Sequence, residues 1–512
     1  MKKITALCLV MLLLMGLLTG CGENKNPYIP TGDALHSEGV TKPSGTKPVD
    51  IAQNLKMVYD PDASLHPYHT ASRTNRLLLP LVYQGLFSIS GDYVAVPILC
   101  SGYSVSRDMK TYTFYLENAT FSDGTALTAA DVVASLNAAR TSSVYQGRLG
   151  YVKAISVTED GAVLVELSTA YENFPLLLDI PIFKASQVDD QRPLGTGPYY
   201  WDERDGNLRL VRRQDWWCHG DLVVTATVIP LVAGQTNAQI RDQFEYGNVT
   251  LVCADPGSDL YVDFRGDYEL WSWENDIFMY LACNEKSAVF SDRNLRKALT
   301  YAIDRDALVE EFYRNFAVAA TLPAVPGSPY YHKGLASRYA YDPAIFPAAV
   351  EAAGMVEQPV VILVNKADSR RTRAARAIAE MLNQCGLKAT TSELSGDAYT
   401  KALTKGNYDL HLGQTILSPN MDLTAFYSGT GTLNFGGLSD AAILMVCQES
   451  LANSGNYYTM HQMVMDDAML CPILFRSHAI YTERGIFDEL NPARDNLFFY
   501  DLGKTLEDIL IA

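Results

Sequence analysis

An α/β protein of two or three domains is what this sequence predicts, and three observations carry that expectation. The chain has 512 residues, 48% of them hydrophobic, enough to bury more than one core. Between residues 112 and 140 a strand pattern passes through a turn into a helix pattern. Farther on, the β-branched run 360–364 reads as a buried strand, and Arg370, Arg371, Arg373 and Arg376 open a helix that ends near Gly386.

The segment 112–140 is the most informative. Tyr112, Phe114 and Leu116 alternate with Thr113, Tyr115 and Glu117, the period of a half-buried strand. Ser122-Asp123-Gly124 reads as a tight turn in which glycine supplies the backbone freedom. Thr128 stands at a helix N-cap. Its hydroxyl can accept from the N–H of Asp131, whose carboxylate suits the helix N-terminus. Val132, Leu136 and Ala139 share one helical face.

The net charge of −17 argues against nucleic acid as a partner, because phosphates need Lys and Arg. At the N-terminus, Lys2 and Lys3 precede an apolar run, 7–18, that is too short to span a membrane and has the form of a signal-peptide core. The run closes on Leu18-Thr19-Gly20-Cys21, small residues before a cysteine whose thiol would take a diacylglycerol. Residues 1–20 are therefore expected to be a lipoprotein signal peptide. A lipid-modified Cys21 would anchor the mature chain to the extracytoplasmic face of the cell membrane without spanning it. No later apolar run reaches the length of a span. Residues 21–50, rich in Gly, Pro, Ser, Thr and Lys, read as a flexible tether of about 30 Å. The seven cysteines after Cys21 are scattered without C-x-x-C spacing, so no metal cluster is expected, and core packing is the reading for Cys253, Cys283 and Cys447. Their odd number leaves at least one thiol unpaired.

The body is expected to start near Ile51. Leu55, Met57 and Tyr59 alternate into the turn Asp60-Pro61-Asp62. His66 and His69 are three apart; with Pro67 between them they read as loop histidines, a metal pair being the other possibility. A strand pair is expected over 154–168, and further strands over 208–212, 223–230 and 280–284. Leu194-Gly195-Thr196-Gly197-Pro198-Tyr199 is not a nucleotide loop: it lacks a third glycine, and Pro198 removes an N–H that a phosphate would want.

Several of these strings carry a resemblance. Tyr112-Thr113-Phe114-Tyr115-Leu116, Phe121-Ser122-Asp123-Gly124, Leu127-Thr128-Ala129 and Asp131-Val132-Val133-Ala134-Ser135-Leu136 closely resemble the signature region of the family 5 extracellular solute-binding proteins, the oligopeptide-, dipeptide- and nickel-binding components of ABC importers. Gly195-Thr196-Gly197-Pro198-Tyr199, Tyr301-Ala302-Ile303-Asp304-Arg305, Gly406-Asn407-Tyr408-Asp409-Leu410 and the apolar return strand 469–475 are similar to further blocks of that family. The resemblance implies a periplasmic-binding-protein-like fold of type II, cluster C: two lobes, with an extra small α/β domain in the first. The implied division is 51–87 with 190–272 and 478–512 as lobe 1, 88–189 as the small domain, and 273–477 as lobe 2.

It also implies a site. In peptide-binding members an aspartate after the Tyr-Asp-Leu strand pairs the ligand ammonium; Asp422 is the matching position, though Leu423 replaces the usual proline, and an N-cap role is the alternative. An arginine after the 360–364 strand holds a ligand carboxylate in dipeptide-type members, which points to the cluster Arg370, Arg371 and Arg373, with Arg370 and Arg371 taken as the candidates and a solvated helix start as the alternative. Gln414 stands where many members carry a tryptophan, which implies an altered ligand; Tyr68 is taken as a further candidate contact. The function implied is a monomeric, lipid-anchored receptor that captures peptides by hinge closure and delivers them to an ABC permease. A receptor for chelated nickel or another small solute, or a peptide or pheromone sensor, is the alternative. No cofactor and no catalysis are expected, since the chain lacks G-x-S-x-G, H-E-x-x-H and a Walker loop.

Overall fold

The computed structural model describes residues 54–218, 222–258, 260–494 and 496–511; the expected signal peptide, tether and lipid site at Cys21 lie outside them. The unit Asp50–Ala512 is a two-lobed α/β body of the type II binding-protein class. Met57–Tyr59 pairs in parallel with Val228–Ala233, and Asn207–Arg212 and Tyr199–Arg204 extend this four-stranded sheet with antiparallel pairs. A second sheet, antiparallel throughout, runs in the order Cys100–Val105, Thr111–Leu116, Val163–Leu167, Val152–Val157. The third sheet has seven strands. Pro359–Asn365 pairs in parallel with Lys388–Leu394 and Leu410–Ile416, and the latter joins Glu269–Cys283 and Leu470–Thr482.

Those last two strands, 15 and 13 residues long, run antiparallel along each other and contain the lobe boundaries expected at 272/273 and 477/478. Their register shifts between Glu274 and Phe278, so Asn275, Asp276 and Ile277 bulge out of the ladder. The Nδ2 side of this bulge is buried while Asn275 Oδ1 accepts from Ile277 N–H at 2.8 Å. Arg494, near the C-terminus, closes on Asp276 at 2.6 Å with both side chains nearly enclosed.

The signature strings have physical roles. Tyr112 and Phe114 are buried in the strand Thr111–Leu116, and Val132, Leu136 and Ala139 face the core from the helix Ala129–Ala139. The carboxylate of Asp131 accepts both from Thr128 N–H (3.0 Å) and from its hydroxyl (2.6 Å). Its other oxygen takes Ala185 N–H at 2.9 Å, tying the helix start to a distant loop. Arg305, fully enclosed, donates to the carbonyls of Ala320, Pro472, Thr300 and Ile303, which locks the junction of the helices Arg293–Ala302 and Arg305–Tyr313 onto the return strand. Asp409 receives the Ser287 hydroxyl at 2.6 Å and Val361 N–H at 2.8 Å, holding the starts of two strands together.

One strand begins later than the spacing suggests. Hydrophobic residues over 223–230 predict a strand there, but it starts at Val228. The carbonyls of Val224 and Ala226 accept from the hydroxyl of Tyr199 (3.4 and 2.6 Å), so this stretch is held by a side chain and not by a ladder. The seven described cysteines form no disulfide with one another; Cys100, Cys283, Cys447 and Cys471 are buried, and burial pushes the Cys100 thiol up to about 12.

The Gly195–Gly197 segment passes so close to the helix Leu79–Val82 that a side-chain carbon on Gly195 would lie 2.1 Å from the carbonyl oxygen of Val82. Gly197 N–H donates to that same oxygen at 2.9 Å. The backbone cannot yield there without losing the bond. Gly195→Ala is therefore expected to lower unfolding stability by about 1–3 kcal/mol, read from urea melts of residues 51–512; an unchanged midpoint would show that the two segments can separate freely.

Candidate functional site

The residues expected to contact a solute fall at different places in the fold. Asp422 follows the strand Leu410–Ile416. Its Oδ1 accepts from Thr424 N–H (2.8 Å) and its Oδ2 from the Thr424 hydroxyl (3.0 Å), so it does cap the short helix Thr424–Tyr427. Capping does not neutralise it. Among the described residues no cationic side chain forms an ion pair with Asp422, and withdrawal from water holds its carboxyl above the ordinary value of 3.8.

Tyrosines from two distant stretches of the chain lie around this carboxylate. Tyr151, from the small-domain region, meets Thr424 Oγ1 at 2.7 Å, and the hydroxyl of Tyr171 accepts from Asn420 Nδ2 at 2.6 Å. Tyr457 donates to the Asn420 carbonyl and packs on Tyr330, ring centroids 4.4 Å apart. The Oδ1 of Asn420 is buried with no donor among the described residues. Aromatic rings around a half-buried carboxylate form a surface that favours an organic cation.

The two expected arginines diverge. Arg370 is buried, with Nε on the Ser258 carbonyl (3.1 Å) and Nη1 on the Phe312 carbonyl (3.0 Å), so its fork binds the protein's own backbone. Arg371 lies 3.8 Å from Asp368 Oδ2. Its charge lowers the pKa of His411, though burial is the larger cause of that shift, to about 3. Gln414 sits on the strand next to Met279, and its Oε1 is buried without a donor among the described residues. Tyr68 is placed elsewhere. Its ring is enclosed by His66, Tyr145 and Phe183, and its hydroxyl donates to the Pro181 carbonyl at 2.6 Å. His66 and His69 stack at 4.4 Å; both ring nitrogens of His66 are engaged, Nδ1 by Tyr68 N–H and Nε2 by the Val188 carbonyl. Burial above all, then His69, lowers the His66 pKa to about 4.

A third group was not foreseen. Arg73, on the short helix Arg73–Arg76, bonds His478 of the long strand Leu470–Thr482 and lies over the Trp273 indole, 5.9 Å from its centroid. Trp273 and His478 are cross-strand partners. In sequence the hint is two arginines three apart just before an apolar run, Leu77 to Leu79; their partner is 405 residues away.

Comparison with known proteins gives the following. The model of the bacterial extracellular solute-binding proteins, family 5 (middle region), matches residues 94–437. A glutathione-binding protein GsiB from Pectobacterium atrosepticum is 27% identical over 332 residues, covering 60% of this chain and 63% of that protein. The Salmonella typhi protein of the same name is 26% identical over 345 residues, 64% of this chain and 66% of its own. The chain thus spans less than two thirds of these relatives' length. Among solved structures, the substrate-binding protein CtaP from Listeria monocytogenes superposes with a TM-score of 0.70 at 18% identity, over 87% of this chain and 97% of that one. AppA from Bacillus subtilis in complex with a nonapeptide gives 0.60 at 17% (88% and 98%), and NikZ from Campylobacter jejuni in complex with Ni(L-His) gives 0.62 at 16% (88% and 98%).

Because the fold raises the Asp422 pKa, folding favours the protonated carboxyl more than the unfolded chain does. Its ionised form costs stability at neutral pH, and that cost disappears as pH falls through the raised value. Asp422→Asn, which keeps an acceptor for Thr424 N–H, is expected to raise the melting temperature of the ligand-free protein at pH 7, by a margin that shrinks toward pH 4. Calorimetric scans across that range check this; a lower melting temperature at pH 7 would mean the charge is already compensated.

Proposed function

Since this chain belongs to the bacterial extracellular solute-binding proteins of family 5, we propose that it captures short peptides outside the cytoplasm by closing its two lobes and hands them, chemically unaltered, to an ABC permease. One observation carries the reading. The Asp422 carboxylate is withdrawn from water without a cationic partner among the described residues, on a wall of tyrosines contributed by two distant stretches of the chain. A charge so placed is an unfilled half of an ion pair. A peptide α-ammonium supplies the other half, and its departure from water is compensated only if the lobes close around it. The two long strands supply the hinge: they cross between lobes and carry the Asn275–Ile277 bulge, an irregular point able to absorb a rotation.

The lipobox-like sequence before Cys21 supports a lipid-anchored form working as a monomer at the extracytoplasmic face, with residues 21–50 as the tether. Arg371, at the start of the helix Ser369–Gln384, and Gln414 are assigned to the ligand-facing wall. Gln414, standing where many members of the family have a tryptophan, favours a second reading in which the solute is smaller or a metal chelate. The nickel–histidine complex bound by one structural neighbour is the chemistry that reading suggests.

Residues 51–512 are expected to show a raised melting temperature with members of a short-peptide library, because a ligand bound only by the native state stabilises it. Native mass spectrometry should recover those peptides intact. No shift with peptides beside a clear shift with nickel–histidine would transfer the assignment to the second reading. Asp422→Ala is expected to weaken peptide binding by about 2 kcal/mol or more by calorimetry; equal affinity would take Asp422 out of the site.

A further inference from the structure

Glu172 clasps two helix ends that lie far from it along the chain. The helix Ala441–Ala452 ends where a tight turn, Ser454–Asn456, leads into the helix Tyr457–Asp467. A helix end leaves carbonyls without an intrahelical donor, and a helix start leaves N–H groups without an acceptor. Glu172 answers one of each. Its N–H donates to the Leu451 carbonyl at 2.7 Å, and its Oε2 accepts from Ser454 N–H at 2.6 Å. A carboxylate also suits the positive end of the second helix. The next two N–H groups are met within the turn, Gly455 by Asn453 Oδ1 and Asn456 by the Asn453 carbonyl. On the other side, the Tyr112 hydroxyl donates to the carbonyls of Tyr171 and Glu172, which fixes the clasp to the strand Thr111–Leu116.

The clasp lies at the surface, and the surroundings of Asp422 lie behind it. Glu172 is exposed, whereas Tyr171, Asn420 and Cys447 are each only 1% exposed. Two further contacts join the same stretches: Tyr171 with Asn420, and Tyr151 with Thr424. Both tyrosines are close enough to Asp422 for its charge, after burial, to raise their phenols. The thiol of Cys447 is raised in the same way, first by burial and then by Asp422, and it sits on the helix whose end Glu172 holds. The stretches 151–172 and 420–454 are thus held together by an outer contact at Glu172 and by inner ones that flank Asp422.

We propose that Glu172 is the latch of a gate: it holds the stretch 151–172 on the stretch 420–454, and the flank of Asp422 that Tyr151 and Tyr171 cover opens to a solute when the latch is released. Release is reversible, because the carboxylate contact lies at the exposed surface and water can take the place of either partner. What the gate admits rests on the solute-binding reading; the latch itself rests on the contacts of Glu172. Its role is in the rate of capture, with no contact to the solute.

The first arm of the test reads opening without any solute. The purified protein is labelled with N-ethylmaleimide under native conditions, and each cysteine is followed by peptide mass spectrometry. In Glu172→Ala the labelling rate of Cys447 is expected to rise at least fivefold (about fivefold is 1 kcal/mol in an opening equilibrium). Glu172→Gln, which keeps an acceptor for Ser454 N–H and loses the charge, should fall between. Cys283 and Cys471, buried on two strands of the seven-stranded sheet, should label at the wild-type rate in both variants, which separates a local opening from unfolding. A Cys447 rate unchanged in Glu172→Ala, or a rise shared equally by Cys283 and Cys471, would overturn the proposal. The second arm measures association of trialanine by stopped flow. A faster association in Glu172→Ala, in step with Cys447 labelling, supports the gate; an unchanged association rate beside faster labelling would overturn it. Faster labelling of Cys447 in a protein that binds neither peptides nor nickel–histidine would instead refute the solute reading and leave the latch standing.

Discussion

An ion taken out of water must meet an opposite charge or a set of dipoles, and the arrangement of this protein follows from where that requirement is met and where it is not. Arg305 is enclosed and meets it with four backbone carbonyls, which is why it can sit at the joint of two helices and a strand. Asp409 meets it with a hydroxyl and an N–H. Arg370 does the same with the carbonyls of Ser258 and Phe312. These are construction elements. Asp422, Arg73 and Arg76 are withdrawn from water as well, yet no opposite charge reaches them among the described residues.

Two long strands run side by side, 15 and 13 residues, where the lobe boundaries are expected, so a ladder and not a loose linker occupies that stretch. The ladder is interrupted at Asn275–Ile277, and the buried Arg494–Asp276 pair fastens the C-terminal segment at that point. The glycine segment 195–197, by contrast, packs closely on the helix Leu79–Val82.

Much of the architecture was legible in the residues because local patterns there agree with tertiary roles. The strand–turn–helix segment is one case: Tyr112, Phe114, Val132 and Leu136 are both periodic and buried. The full length of the crossing strands was not legible, since Pro472 and the polar pair Asn275-Asp276 interrupt the apolar pattern at the register shifts. The surroundings of the candidate residues were less legible. Asp422 stands out by its place after a family motif, and the structure adds that it caps a helix while lacking a counter-ion. Arg370 and Tyr68 show the opposite limit. Type and position suggested a ligand contact, but whether a guanidinium or phenol is already engaged depends on carbonyls at Ser258, Phe312 and Pro181, far away along the chain. The Arg73–His478 contact joins residues 405 positions apart, and no local pattern encodes it.

The free thiols have a consequence of their own. Only the thiolate attacks disulfides or reacts with oxidants at an appreciable rate. Cys100, Cys283, Cys447 and Cys471 are enclosed, and burial holds each as the protonated, unreactive form. Sulfur here behaves as a packing atom. Exposure to air or to a reductant then leaves these four core thiols as they were.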